Sequence, residues 1–166
     1  HPEALVVGGL LYFLEDDGAH GRELWRSDGT ALGTFMVRDL CKGSCGSRTG
    51  WWGHMAELGG TLLFVANDGV HGLELWRSDG TALGTTLVAD LEPGYRSSQP
   101  RFLTSASGQV FFLAQSEAEV AGLWRTDGTA QGTYKISPNP PGQSFNPSSL
   151  HASASLLYLC DVTSPL

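Results

Sequence analysis

Three observations predict an all-β fold of tandem sheets. The string ELWRSDGTALGT occurs at residues 23–34 and again, letter for letter, at 74–85, with GLWRTDGTAQGT at 122–133. Trp25, Trp76 and Trp124 lie 51 and 48 residues apart, so a unit of about 50 residues is one packed module used repeatedly. Twenty-two glycines and eight prolines spread over 166 residues imply many turns, which suit short strands.

Within each unit four strands follow in order. The first is a modest segment, at 4–7, 54–58, 102–105 and 150–153. The second is a short apolar, aromatic and β-branched run: LLYFL at 10–14, TLLFV at 61–65, QVFFL at 109–113 and SLLYL at 155–159. Gly8-Gly9, Gly59-Gly60 and Gly108 precede three of these runs and mark tight turns. The third strand carries the Leu-Trp pair. After the DGT loop the fourth covers 34–39 and 85–90, with a counterpart ending near residue 137. No window holds a 3.6-residue apolar period with helix caps, so little helix is expected.

Four antiparallel strands per unit predict a β-propeller-like array of tandem blades, in which a nearly continuous apolar second strand is buried on both faces. A β-sandwich is the main competitor, but it does not normally carry a four-strand sequence period. The units fall at 4–53, 54–100 and 101–148, with a half unit at 149–160, about three and a half repeats in a single repeat domain over 4–160. Open repeats expose an apolar end that needs cover. Self-association, or membership of a longer array, is therefore expected.

Composition narrows the function. Hydrophobic residues make up 41% of the chain, and the formal charge is −7 with eight arginines but only Lys42 and Lys135 as lysines. No basic cluster suits phosphate neutralisation, so nucleic acid is not an expected partner, and no apolar run is long enough to span a membrane. Cys41, Cys45 and Cys160 lack zinc spacing. Cys41 is placed to pair with Cys45 locally or for one of the two to reach Cys160.

The repeated residues read as scaffold. Ser27-Asp28-Gly29-Thr30 and its copies have turn chemistry throughout, favoured over a cation loop. Packing between units is the expected role of the tryptophans, and local or inter-unit contacts that of Arg26, Arg77 and Arg125, rather than an anion-binding ring. DGAHGRE at 17–23 and DGVHGLE at 68–74 place Asp17, His20 and Glu23, and Asp68, His71 and Glu74, as candidate metal ligands. Calcium would suit them better than zinc; otherwise no cofactor is expected.

Departures from the repeat are where binding is expected. Residues 41–54, CKGSCGSRTGWWGH, offer Arg48, Trp51, Trp52 and His54 as an aromatic platform for a sugar ring or a protein partner. Tyr95 and Arg96, in EPGYRSSQP at 92–100, occupy the equivalent loop of the second unit. No nucleophile elbow, zinc-protease helix or phosphate loop is present. A non-enzymatic module binding protein or glycan through this loop face is the leading expectation. The alternatives are a carbohydrate-active enzyme using carboxylates in a central channel, and a structural block completing a ring with another chain.

The ELWxxDGT core, with its trailing Gly-Thr and upstream Asp-Gly-x-x-Gly, resembles the ELWxxDGT repeat family of bacterial proteins. The resemblance is specific at 23–30 and 74–81 and weaker in the third unit, where Gly122 replaces the glutamate. It covers about residues 4–160. It implies an exported or cell-surface protein and transfers no site residues.

Overall fold

A computed structural model describes residues 4–43, 47, 55–116, 119–136, 149–153 and 156–160. Within them the chain is all-β and has no helix. The first sheet is β1 (Ala4–Val7), β2 (Leu10–Asp16), β3 (Arg22–Ser27) and β4 (Phe35–Arg38). The second is β5 (Met55–Leu58), β6 (Thr61–Asn67), β7 (Leu73–Ser78) and β8 (Thr86–Ala89). The third is β9 (Arg101–Ala106), β10 (Gln109–Ser116), β11 (Glu119–Thr126) and β12 (Tyr134–Lys135), and β13 (Ser149–Ser153) with β14 (Leu156–Cys160) forms a two-stranded sheet. Each is an antiparallel meander with strands in sequence order.

The repeat sets register as well as strand identity. Phe13 pairs with Trp25, Phe64 with Trp76 and Phe112 with Trp124. The register shift between the third and fourth strands falls at Leu24/Trp25 in one sheet and Leu75/Trp76 in the next. Gly8 and Gly9, at φ 58° and 83°, and Gly59 and Gly60, at 56° and 83°, form two-residue hairpin loops. Positive φ at both positions matches the twist of the flanking strands, which is why glycine pairs stand there.

The fourth unit departs by one residue from the sequence expectation. Its second strand is Leu156–Cys160, not 155–159, and Ser153 pairs with Leu156 as Val7 pairs with Leu10. Tyr158 therefore corresponds to Tyr12, whereas aligning 155–159 with 10–14 sets it against Phe13 on the opposite face.

Because side chains alternate along a strand, β6 supplies two cores. Leu62, Phe64 and Ala66 join Trp76 on the face turned to the first sheet, where they meet Val7, Tyr12 and Leu24. Leu63 and Val65 join Ala56, Leu75 and Val88 on the opposite face and meet Leu103, Val110, Phe112 and Ala114 of the third sheet. A third cluster joins Phe102, Leu113 and Leu123 to Leu150 of the two-stranded sheet. The sheets thus stack face to face in series.

Successive sheets approach through their first strands, β1 against β5, β5 against β9 and β9 against β13. Hydrogen bonds reinforce the stack: Arg38 Nη1 donates to the Thr85 carbonyl at 2.7 Å, Ser105 Oγ to the Glu57 carbonyl at 2.6 Å and Thr104 Oγ1 to the Leu150 carbonyl at 3.2 Å. In β9 Phe102 faces the last sheet and Leu103 the second, as strand alternation places them, and the register with β10 shifts there between Phe111 and Leu113. Phe102 sits there at φ 58°, a left-handed conformation that is strained for a bulky side chain.

Candidate functional site

The DGT loops are closed by their own side chains, identically in all three units. In the first, the Gly29 amide donates to Ser27 Oγ (3.0 Å), Ser27 Oγ lies 2.7 Å from Thr34 Oγ1, and Thr34 Oγ1 donates to the Thr30 carbonyl (2.6 Å). Since the Thr34 proton is used on that carbonyl, Ser27 must be the donor to Thr34, and one directed chain of hydroxyls crosses the loop. Asp28 Oδ1 meanwhile accepts from the Thr30 amide and hydroxyl at 2.9 and 2.7 Å. Ser78–Thr85 with Asp79, and Thr126–Thr133 with Asp127, repeat the pattern. The hydroxyl of the following threonine, then its amide, holds each aspartate below its ordinary range.

The trailing glycine is dictated by the same geometry. A Cβ on Gly33, Gly84 or Gly132 would overlap the carboxylate of Asp28, Asp79 or Asp127. Gly84→Ala should therefore break the Asp79–Thr81 contacts and cost about 1–3 kcal/mol in a denaturant titration. An unchanged midpoint would show that the loop does not need its aspartate in place. These loops leave the motif carboxylates committed to the backbone.

The tryptophans and arginines fill the stack. Trp76 is buried between the first two sheets, and Trp25 and Trp124 stack on Phe13 and Phe112 with centroids 6.5 and 6.4 Å apart. Among the described residues Trp25 Nε1 and Trp76 Nε1 are buried with no hydrogen-bond partner, a cost that the packing of the two rings must offset. Arg77 Nη1 donates to the Gly128 carbonyl in the next unit at 3.3 Å. A Cβ on Gly80 would strike Tyr12 and Arg26, so Arg26 likewise reaches its neighbour's loop.

Glu23 and Glu74 are fully buried and act as anchors. Glu74 accepts from the Leu91 amide (3.2 Å), the Ser98 amide (2.8 Å) and Ser98 Oγ (2.6 Å), clamping both ends of the 91–98 loop. Glu23 accepts from the amides of Leu40 and Cys41 at 3.3 and 3.1 Å, with Ser47 a further partner. Burial drives the Glu74 carboxyl up to about 7 against the opposing pull of its donors, and it raises Glu23 in the same direction. Ser47 and Ser98 were not foreseen, although each lies 24 residues after its glutamate. In the third unit the aliphatic stem of Lys135 lies where a Gly122 Cβ would be.

Asp17 and His20 do come together. His20 Nδ1 lies 2.7 Å from Asp17 Oδ2, and Asp17 Oδ1 accepts from the amides of Ala19 and His20 at 2.9 Å each. The His20 amide, then its ring, lowers Asp17 to about 2, and Asp17 raises His20 in return. Asp68 and His71 repeat this turn at 2.7 Å. Burial opposes ionisation of Asp68, but the His71 amide and ring with the Val70 amide outweigh it, so its carboxyl is lowered and His71 is raised. Glu23 and Glu74, given to their loops, do not complete either set. Among the described residues no group of three acidic, histidine or cysteine side chains is arranged to hold a metal ion.

Of the expected binding residues, Arg48, Trp51, Trp52 and His54 lie outside the described residues, as does Cys45. Tyr95 is 83% exposed at the crest of the clamped 91–98 loop. Beside it Arg96 Nη1 pairs with Glu92 Oε1 at 3.8 Å. A Cβ on Gly72 would collide with the Arg96 carbonyl, so the loop lies directly on the turn that holds His71. Cys41 is in a disulfide, and the sulfur joined to it falls outside the described side chains.

These features define an all-β protein of tandem antiparallel sheets whose motif residues build the frame and whose inter-unit loops are pinned to it. No protein-family model matches the chain, and no curated protein matches it. Among the described residues no helix is long and apolar enough to cross a membrane.

Proposed function

We propose that the sheets are blades of a β-propeller and that the chain is a non-enzymatic, exported or cell-surface module binding a protein or glycan through its inter-unit loops. The observation that carries this reading is the pinned 91–98 loop: Glu74 fixes both of its ends while Tyr95 stands 83% exposed. An aromatic held out on an immobilised backbone loses little entropy when a ligand stacks on it. Glu23 likewise holds the amides of Leu40 and Cys41, which precede Arg48, Trp51, Trp52 and His54 in the sequence.

The blade reading draws support from the contact of successive first strands and from burial of β6 on both faces. Export draws support from the disulfide at Cys41, because such bonds persist in oxidising compartments. The likeness to ELWxxDGT repeats points the same way. Binding to a glycan array and to cell-surface protein extracts tests the assignment. Tyr95→Ala, and separately Trp51→Ala with Trp52→Ala, should weaken the strongest interaction by about tenfold or more, the loss of a central aromatic contact, with thermal midpoints unchanged. Wild-type binding by both variants would remove the loops from the reading, and turnover of a polysaccharide would overturn its non-enzymatic part.

A further inference from the structure

We propose that the turn at 67–72 and the loop at 91–98 together form a site for a neutral saccharide, with Tyr95 as the stacking platform and Arg96, Glu92 and His71 meeting the sugar hydroxyls. The proposal rests on the reading of 91–98 as a binding loop and goes beyond it by fixing the class of ligand and by adding the turn to the site.

The two segments make one surface. The Leu73 amide donates to Ser97 Oγ at 2.9 Å, and the Gln99 amide donates to the Leu73 carbonyl at 3.2 Å. They touch at Gly72, where a Cβ would fall on the Arg96 carbonyl. From the third sheet the Gln115 amide donates to the Ser98 carbonyl at 2.8 Å, so the loop is held from two units as well as by Glu74. His71 is fixed in its turn, because its Nδ1 lies 2.7 Å from Asp68 Oδ2 while the side chain stays 35% exposed. That contact leaves Nε2 as the ring nitrogen presented to a ligand.

The make-up of the surface selects the ligand. Its exposed apolar side chains are Val70, Pro93 and Tyr95, set among Asp68, His71, Glu92 and Arg96. A protein partner's hot spot needs a surround that shuts water out, which one phenol ring among polar groups does not supply. The C–H face of a pyranose needs only the ring, and its hydroxyls each call for a donor and an acceptor. Arg96 donates, Glu92 accepts, and their 3.8 Å separation places them to meet adjacent hydroxyls of one sugar. Charge disfavours an acidic glycan. Arg96 is offset by Glu92 and His71 by Asp68, and the chain as a whole carries −7, so the surface has no surplus cation for a sugar carboxylate or sulfate.

Isothermal titration of the full chain with neutral glucan, mannan and galactan oligosaccharides, alongside polygalacturonate and heparin, tests this. The wild type should bind at least one neutral series, with an affinity that changes less than about twofold between about 50 and 500 mM salt, since the ligand has no charge to screen. Tyr95→Ala should weaken that binding about tenfold or more, and Arg96→Ala by about tenfold, with thermal midpoints held. Tyr95→Phe should keep most of the affinity, because stacking uses the ring. Binding confined to polygalacturonate or heparin, and falling with salt, would overturn the neutral class, and so would no heat with any saccharide at millimolar concentration. A surface protein as the only ligand, lost in Tyr95→Ala, would contradict the saccharide and leave the loop as a binding surface. A neutral saccharide bound equally well by Tyr95→Ala would remove both the proposal and the loop reading.

Discussion

Glu74→Ala should destabilise the chain by about 3–5 kcal/mol, the range expected when a buried hydrogen-bonded anchor is removed. The loss has a definite cause. The amides of Leu91 and Ser98 and the Ser98 hydroxyl all donate to this carboxylate, and its removal leaves them without an acceptor beneath the loop. Chemical denaturation measures the change, and proteolysis within 91–98 should accelerate in step.

The same residue governs a pH dependence. Its carboxyl stands at about 7 in the fold against an ordinary 4.5. Between these values the folded chain holds a proton that the unfolded chain has released. The stability contributed by Glu74 is therefore full below 4.5 and is lost as pH rises through about 7. The slope in that window approaches 1.4 kcal/mol per pH unit. Glu74→Gln keeps an acceptor for the amides but has no proton to lose, so its stability should lack this decline. An identical decline in wild type and Glu74→Gln would assign the effect to another group.

Phe64→Ala should cost about 3–5 kcal/mol, as expected for a large side chain removed from a closed core. Phe13→Ala, at the same register of the first sheet, should cost about 1–2 kcal/mol when measured on dilute, unassociated chain. Both phenylalanines pair with the tryptophan of the motif, so sequence position does not separate them. Burial does: Phe64 is 0% exposed between two sheets, and Phe13 is half-buried. Equal losses would mean that the two units have equivalent surroundings and would contradict a serial stack.

The repeat made the sheets legible because its letters act locally. Gly8-Gly9 and Gly59-Gly60 announce their hairpins through backbone conformation, and the TLLFV run announces a strand buried on both faces, whereas LLYFL, with the same pattern, keeps Leu11 39% exposed because no sheet of the described residues covers that face. The last unit has no glycine between Ser153 and Leu156, so the sequence carries no local mark of where its second strand begins and places the strand one residue early. The role of Glu23 and Glu74 escaped for a different reason. Their partners come from loops that share few letters, CKGSCGS in one and EPGYRSS in the other, and a fixed 24-residue spacing to Ser47 and Ser98 is visible only once the contact is known. In each candidate metal set the glutamate accepts from the loop that it anchors, while aspartate and histidine pair in the turns Asp17–His20 and Asp68–His71. Tyr95 was legible as a departure from the repeat, but the clamp that holds it out was not.

Amide hydrogen exchange in the native chain tests most directly whether the repeat is a stacked frame. Sheets that cover each other in series place β6, enclosed on both faces, at the most protected position. Its amides from Leu62 to Ala66 should exchange only through global unfolding, more slowly than those of β2 and far more slowly than those of β14. Exchange from β6 as rapid as from β14 would contradict the stack and, with it, the assignment of the motif residues to structure.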